Sequence, residues 1–193
     1  MTDYGAVRPL CELILNERIP TTLVGPSRGI SFLFPMEKIF ERYVADCLTR
    51  GLANNVSMIR QAASEHLCLH EKSKWFELHP DPLMIHGARR WILDTKWKRL
   101  DQSLRGAKDK HGMDQDDMYQ MFAYGHRYLN GRGEMLLIYP KTQAFSMTLG
   151  PFEFSKDLKL WAVPFDLAAG RIVEECIPDD LKAVIRVPAR AVN

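Results

Sequence analysis

Two short apolar stretches on either side of a tight connection constrain the fold of this 193-residue chain more than any other feature. Residues 83–85 and 91–97 are rich in Leu, Ile, Met and Trp, and residues 86–89, which include Gly87, lie between them. Apolar runs flanking a short glycine-containing connection are typical of a β-hairpin. We therefore expect two antiparallel strands in the middle of the chain.

Charged side chains accompany both predicted strands. Asp81 follows Pro80 just before the first strand, and Asp94 and Lys96 lie in the second. Residues two apart on a strand project from the same face, so Asp94 and Lys96 point together while the Thr95 carbonyl stays nearby. Mg²⁺ prefers one or two carboxylates, with water and phosphate oxygens completing its shell. The pattern predicts a metal site for phosphodiester hydrolysis, in which Lys96 orients or deprotonates the attacking water.

An acid-x-Lys tripeptide is common by itself in a chain with ordinary charged content. This sequence has two others, at residues 157–159 and 180–182, and neither has a second acid one hairpin upstream on an apolar strand. Asp94 also interrupts an apolar run, where a charge without a partner is costly. We therefore assign the site to residues 94–96.

Composition indicates one compact domain with a small appendage, since 46% of the residues are hydrophobic and the net charge is +2. No apolar run approaches the length of a membrane span, and the N-terminus lacks the features of a signal peptide. We expect a cytoplasmic protein without membrane association. The four scattered cysteines predict reduced, partly buried thiols and no disulfide or zinc framework; they are Cys11, Cys47, Cys68 and Cys176.

A basic segment begins at the predicted site. Residues 88–110 contain eight Lys and Arg side chains against three Asp. Phosphate neutralisation drives nucleic-acid affinity, so a basic segment here suits a polyanionic substrate, although a solvated loop would have the same composition. The DNA-contacting candidates are Lys98, Arg99, Arg105 and Lys108.

Helical periodicity predicts the elements around the hairpin. We expect a helix at residues 6–17, a loop at 19–29, a helix from Pro35 to Gly51, a second helix from Asp114, and a last helix at 179–186. Further strands are predicted at residues 75–78, 134–140, 145–149 and 158–165, and residues 56–70 are ambiguous. We assign no metal site to His66 and His70, because alternation in a half-buried strand produces the same pattern and no further soft ligands lie nearby in the sequence.

Polar side chains on both main helices are candidates for the site. Glu37 and Glu41 lie four residues apart on the shoulder of the first apolar stripe, and helix geometry alone does not separate them. Gln120 and Tyr124 lie four apart on the second helix and form a polar pair on one side of it.

Four motifs in this order resemble the PD-(D/E)xK nuclease core, and more specifically the nuclease module of McrC, the cleavage subunit of McrBC-type modification-dependent restriction systems. They lie within residues 32–41, 80–81, 92–98 and 117–124. The resemblance implies an α/β (α+β) fold with a PD-(D/E)xK restriction-endonuclease-like core, in which helices flank a central mixed sheet. It assigns residues 30–193 to the nuclease domain. Residues 1–29 would be the remnant of, or link to, a longer N-terminal region.

The resemblance also implies roles. Asp81 and Asp94 would hold Mg²⁺ or Mn²⁺ with Glu41, Lys96 would be the catalytic lysine, and Gln120 and Tyr124 would order the site and the DNA strand. The products would carry a 5′-phosphate and a 3′-hydroxyl. A McrB-like GTPase ring is the implied partner, and the chain itself has no glycine-rich phosphate loop.

Three functions remain open from the sequence. The leading one is the endonuclease subunit of a 5-methylcytosine-dependent restriction system. The others are a free-standing repair-type nuclease or exonuclease, and a non-catalytic module that binds DNA or a partner. Intact Asp81, Asp94 and Lys96 argue against the non-catalytic module.

Overall fold

The computed structural model describes residues 35–53, 55–60, 62, 65–173 and 177–185. These residues form three α-helices and nine β-strands. The helices are α1 (Met36–Gly51), α2 (Gln115–Tyr128) and α3 (Asp179–Val184). The strands are β1 (Ser57–Arg60), β2 (Glu65–His70), β3 (Ser73–Leu78), β4 (Pro82–His86), β5 (Arg89–Thr95), β6 (Gly133–Pro140), β7 (Leu149–Glu153), β8 (Leu158–Asp166) and β9 (Arg171–Ile172).

Seven strands form a mixed sheet in the order β1-β4-β5-β6-β8-β7, with β9 also paired to β8. The β5–β6 and β6–β8 pairs are parallel, and the other pairs are antiparallel. Parallel neighbours need a long connection, and α2 lies in the connection between β5 and β6. The predicted α/β architecture with a central mixed sheet is confirmed.

The apolar core lies on both faces of this sheet. Along β5, Trp91 and Leu93 pack in one cluster with α1 and α3, whereas Ile92 packs in a second cluster with α2. Alternate residues of a strand face opposite sides, so Asp94 falls on the α2 side. Gly125 lets α2 approach β8 closely, because a Cβ at this position would lie 2.8 Å from Leu158 Cδ2.

The β4–β5 hairpin predicted from the sequence is confirmed. Its register pairs Leu83 with Ile92 and Met84 with Trp91, and the turn contains Gly87 at a φ of +59°. Left-handed backbone of this kind favours glycine. The second strand ends at Thr95, two residues before the predicted limit.

The ambiguous residues 56–70 contribute β1 to the main sheet and β2 to a separate two-stranded sheet with β3. His66 and His70 both lie in β2. No group of three or more His, Cys, Asp or Glu side chains that could hold a metal ion occurs in the described part of the chain.

The prediction of a strand at residues 145–149 is wrong. Phe145 is fully buried against Tyr139, but its backbone closes a turn with Thr142, and β7 begins only at Leu149. The last helix also ends early, at Val184.

The predicted helix at residues 6–17 and the loop at 19–29 lie outside the described residues, as do Cys11 and Cys176. Cys47 is a buried free thiol and Cys68 an exposed one. Within the described ranges, no helix combines the length and apolar character needed to cross a membrane.

Candidate active site

The two predicted acids converge because of the hairpin register. Leu83 pairs with Ile92, and continuing that antiparallel register by two residues brings Asp81 opposite Asp94. Asp94 is 2% exposed and Asp81 is half-buried. The acids therefore lie together at one end of two neighbouring interior strands, where β4 begins and β5 ends.

Asp81 is held in a fixed orientation by the last residue of β5. Its Oδ2 accepts hydrogen bonds from Thr95 N at 2.9 Å and from Thr95 Oγ1 at 2.8 Å. Both bonds fall on the same oxygen. Thr95, predicted as a carbonyl donor to the metal, thus contacts Asp81 through its amide and hydroxyl groups.

Lys96 lies between Asp94 and α2. Its Nζ is 2.8 Å from Asp94 Oδ2 and donates a hydrogen bond of 2.7 Å to Gln120 Oε1. The ion pair with Asp94 is offset from ideal hydrogen-bond alignment. Lys96 therefore pairs with the buried Asp94 carboxylate while it donates to α2.

Gln120 and Tyr124 extend this contact into a chain of hydrogen bonds. Gln120 Nε2 donates to Tyr124 OH at 2.7 Å, and Tyr124 OH donates to the carbonyl oxygen of His79 at 2.9 Å. His79 precedes Pro80 and Asp81 in the chain. The predicted polar pair on the second helix therefore links Lys96 to the backbone just before the first acid.

The site carries an excess of negative charge. Burial and, after it, the nearby Asp81 raise the pKa of Asp94 to about 7, although Lys96 offsets part of their effect. Burial and the charge of Asp94 raise the pKa of Tyr124 to about 12. The site is therefore electrostatically suited to receive a cation.

A cleft of about 380 Å³ opens at these residues. Glu37 and Glu41 from α1 both line it, with Glu37 exposed and Glu41 half-buried. Glu41 also lines the adjoining cavity together with Asp81. The preceding residue, Phe40, packs its ring 5.4 Å from that of Trp97, which holds α1 beside the end of β5.

The basic candidates do not converge in the same way. Lys98 lines the cleft, but its Nζ binds Asp114 and Asp117. Arg99, Arg105 and Lys108 are exposed and do not line the cleft. They lie in the connection between β5 and α2. The buried Leu100 anchors this connection, as does Gln102, whose backbone N–H donates a hydrogen bond to the carbonyl oxygen of Ala144.

The other two acid-x-Lys tripeptides lie in surface ion pairs. Asp157 is 3.8 Å from Arg132 and Lys159 is 3.6 Å from Glu153. Asp180 pairs with Arg89 and Lys182 with Asp179. Both tripeptides pair at the surface, whereas Asp94 is buried.

Comparison with known families decides the affiliation. The model of the family described as McrBC 5-methylcytosine restriction system component matches residues 1–140. This chain belongs to that family. The matched segment contains Asp81, Asp94 and Lys96 as well as Gln120 and Tyr124, and the resemblance to the McrBC family drawn from the motifs is confirmed. No curated protein matches the chain.

Sequence reasoning missed one residue at this candidate site. Asp117, on the first turn of α2, is 6% exposed, and its carboxylate lies 3.9 Å from Lys96 Nζ. It precedes Gln120 by three residues and Tyr124 by seven. That spacing places all three on one helix face, and it was the signal that could have revealed Asp117.

Proposed function

We propose that this chain is the DNA-cleaving subunit of a McrBC-like, 5-methylcytosine-dependent restriction system. It would be an endonuclease with a PD-(D/E)xK core that depends on Mg²⁺ or Mn²⁺. Family membership supports the role in a restriction system. The observation that carries the nuclease assignment is the convergence of Asp81, Asp94 and Lys96 at one edge of the sheet.

The donor set fits a hard divalent cation. Asp94 is buried, and both its burial and the neighbouring Asp81 disfavour its ionisation, so a cation bound here would stabilise the ionised carboxylates. Two carboxylates, with waters and phosphate oxygens completing the shell, are a normal Mg²⁺ environment. Glu41 would complete the shell from α1 through water, because the described side chains bring no three carboxylates together at one metal position. The Thr95 carbonyl is the remaining candidate ligand.

The protein residues contribute orientation and charge. When bound, the metal neutralises charge on the scissile phosphate and acidifies the attacking water. Thr95 fixes the Asp81 carboxylate through two hydrogen bonds. Gln120, itself held by Tyr124, fixes the Lys96 side chain beside Asp94. As an ammonium, Lys96 would orient the water that attacks the phosphate, and only as the neutral amine could it deprotonate that water.

DNA and a GTPase ring are the proposed partners. Arg99, Arg105 and Lys108 are exposed and basic, which suits sequence-independent contact with the phosphate backbone. The family description, a component of a 5-methylcytosine restriction system, supports a McrB-like GTPase as the subunit that supplies base recognition.

A cleavage assay with matched variants tests the proposal. Methylated and unmethylated plasmid DNA is incubated with the purified chain and Mg²⁺ or Mn²⁺, with and without a candidate GTPase and GTP. Lys96→Gln and Asp94→Asn should each abolish cleavage. Lys159→Gln and Asp157→Asn, which change the same residue types in a surface acid-x-Lys tripeptide, should retain it.

The outcomes separate the three functions. Cleavage that needs the GTPase and methylated DNA supports the restriction subunit, whereas cleavage by the chain alone on either DNA supports a free-standing nuclease. DNA binding without cleavage in every condition supports a non-catalytic module. Cleavage at the normal rate by Asp94→Asn would refute the assigned site.

A further inference from the structure

Asp117 is a buried carboxylate that the proposed chemistry does not use. Its residue is 6% exposed, and Lys98 Nζ donates to both carboxylate oxygens, at 3.0 Å to Oδ1 and 2.9 Å to Oδ2. A buried charge is costly unless it is paired in good geometry, and this one is paired. Lys96 Nζ lies 3.9 Å from Oδ1. One carboxylate thus contacts two lysines that follow the same strand.

Lys98 joins the end of β5 to the beginning of α2. Besides Asp117, it binds Asp114, the residue directly before that helix. Burial lowers the pKa of Lys98, but hydrogen bonds with Asp114 and Asp117 outweigh it and raise the pKa above its ordinary value. The ammonium is therefore charged at neutral pH and occupied by two carboxylates.

These ion pairs define where the first turn of α2 lies relative to Lys96. One turn further along that helix, Gln120 Oε1 accepts the hydrogen bond from Lys96. An ammonium has three donors, and a flexible lysine chain needs several fixed partners to hold one orientation. Asp94, Gln120 and Asp117 lie around Nζ at 2.8, 2.7 and 3.9 Å.

We propose that Asp117 is a positioning residue, and that Lys98 and Asp114 form with it an ionic clamp that fixes α2 and the Lys96 ammonium at the site. This inference rests on the proposed nuclease function for its catalytic consequence. It gives Lys98 a different role from the DNA contact predicted from the sequence. It also keeps Asp117 out of the metal shell, since Lys98 binds both of its oxygens.

Charge-neutral variants test the clamp. Asp117→Asn keeps the shape of the buried side chain, and Lys98→Gln removes its partner. Asp116→Asn changes the same charge at an exposed neighbouring position on the first turn of α2 and serves as the control. Circular dichroism and thermal melting establish that each variant folds. Asp114→Asn, at a more exposed position, provides a milder test if the buried variants do not fold.

We expect Asp117→Asn to lower kcat for DNA cleavage about 10- to 100-fold, the usual cost of removing a group that orients a functional residue. The KM for DNA and the affinity for Mn²⁺ should stay as in the unmodified chain. Lys98→Gln should give the same loss, and the double variant should lose no more, because the two residues act as one unit. Asp116→Asn should leave kcat, KM and the affinity for Mn²⁺ unchanged.

A second readout does not depend on cleavage. The side-chain NMR signal of Lys96, assigned with Lys96→Arg, should shift in Asp117→Asn and Lys98→Gln but not in Asp116→Asn. If the unmodified chain cuts no DNA, the proposed function fails and this shift alone still supports the clamp. An unmoved Lys96 signal would overturn the clamp. Lost Mn²⁺ binding in Asp117→Asn would indicate that Asp117 is a metal ligand. A raised KM for DNA in Lys98→Gln would indicate that Lys98 contacts DNA. Either outcome refutes the proposal.

Discussion

The pKa of Asp94 makes a prediction about stability that needs no substrate. Burial and the neighbouring Asp81 raise this pKa from its ordinary value of 3.8 to about 7. Between these two values the folded chain keeps a proton on Asp94 that the unfolded chain has lost. Stability therefore falls as pH rises through this window and levels off above pH 7, because the unfolded state binds fewer protons.

The magnitude follows from the two pKa values. Their difference corresponds to about 4 kcal/mol once Asp94 is ionised in both states. Of this, about 2 to 3 kcal/mol is lost between pH 5 and pH 8, because part of the unfolded-state titration is complete by pH 5. A loss of this size is a large fraction of the stability of an ordinary domain.

Asp94→Asn removes the titrating group while leaving a side chain of similar size. We expect the free energy of unfolding of this variant to fall about 2 kcal/mol less than that of the unmodified chain between pH 5 and pH 8. Urea unfolding in EDTA at both pH values measures it, with the exposed Asp157→Asn as control. Adding Mg²⁺ at pH 8 should stabilise the unmodified chain and not Asp94→Asn. Parallel pH dependences for the two proteins would refute the assignment of a raised pKa to Asp94.

Two further predictions concern the metal and the DNA. Glu41→Gln should weaken Mn²⁺ binding far more than Glu37→Gln, because Glu41 is half-buried beside Asp81 whereas Glu37 is exposed; calorimetric titration measures both, and equal losses would contradict the assignment. Neutralising Arg99, Arg105 and Lys108 together should lower the slope of log affinity against log salt by up to about 3 on any DNA sequence. Adding Lys98→Gln should not lower it further, and an unchanged slope in the triple variant would mean that these residues belong to a solvated loop.

Local signals in the sequence were sufficient for the elements that build the site. The turn at Gly87 and the apolar residues around it fixed the β4–β5 register, and that register alone brings Asp81 opposite Asp94. The 3.6-residue period likewise predicted the helices that carry Glu41 and Gln120. These features depend on residues close in sequence, so they could be derived before the structure.

The apolar pattern predicted strands less well where a buried residue lies outside a strand or an exposed residue lies within one. Phe145 is fully buried, as its apolar neighbourhood suggests, yet its backbone forms a turn with Thr142 and lies in none of the described strands. Conversely, Leu67 and Leu69 belong to a strand although both are exposed, because among the described strands β2 pairs with β3 alone, outside the main sheet. An apolar side chain reports its own burial preference, whereas strand pairing depends on which distant segment lies alongside.

Charge counting alone does not assign a role to Lys98, for a related reason. Lys98 lies in a basic segment, and the three acids in that segment, Asp94, Asp101 and Asp109, are not its partners. The acids that bind it are Asp114 and Asp117, 16 and 19 residues further along the chain. A lysine that contacts phosphate and one that fixes a helix therefore have the same local composition. Only the tertiary pairing distinguishes them. Here Lys98 pairs with Asp114 and Asp117 at the start of the helix that carries Gln120, so Arg99, Arg105 and Lys108 remain the candidates for the proposed DNA contact.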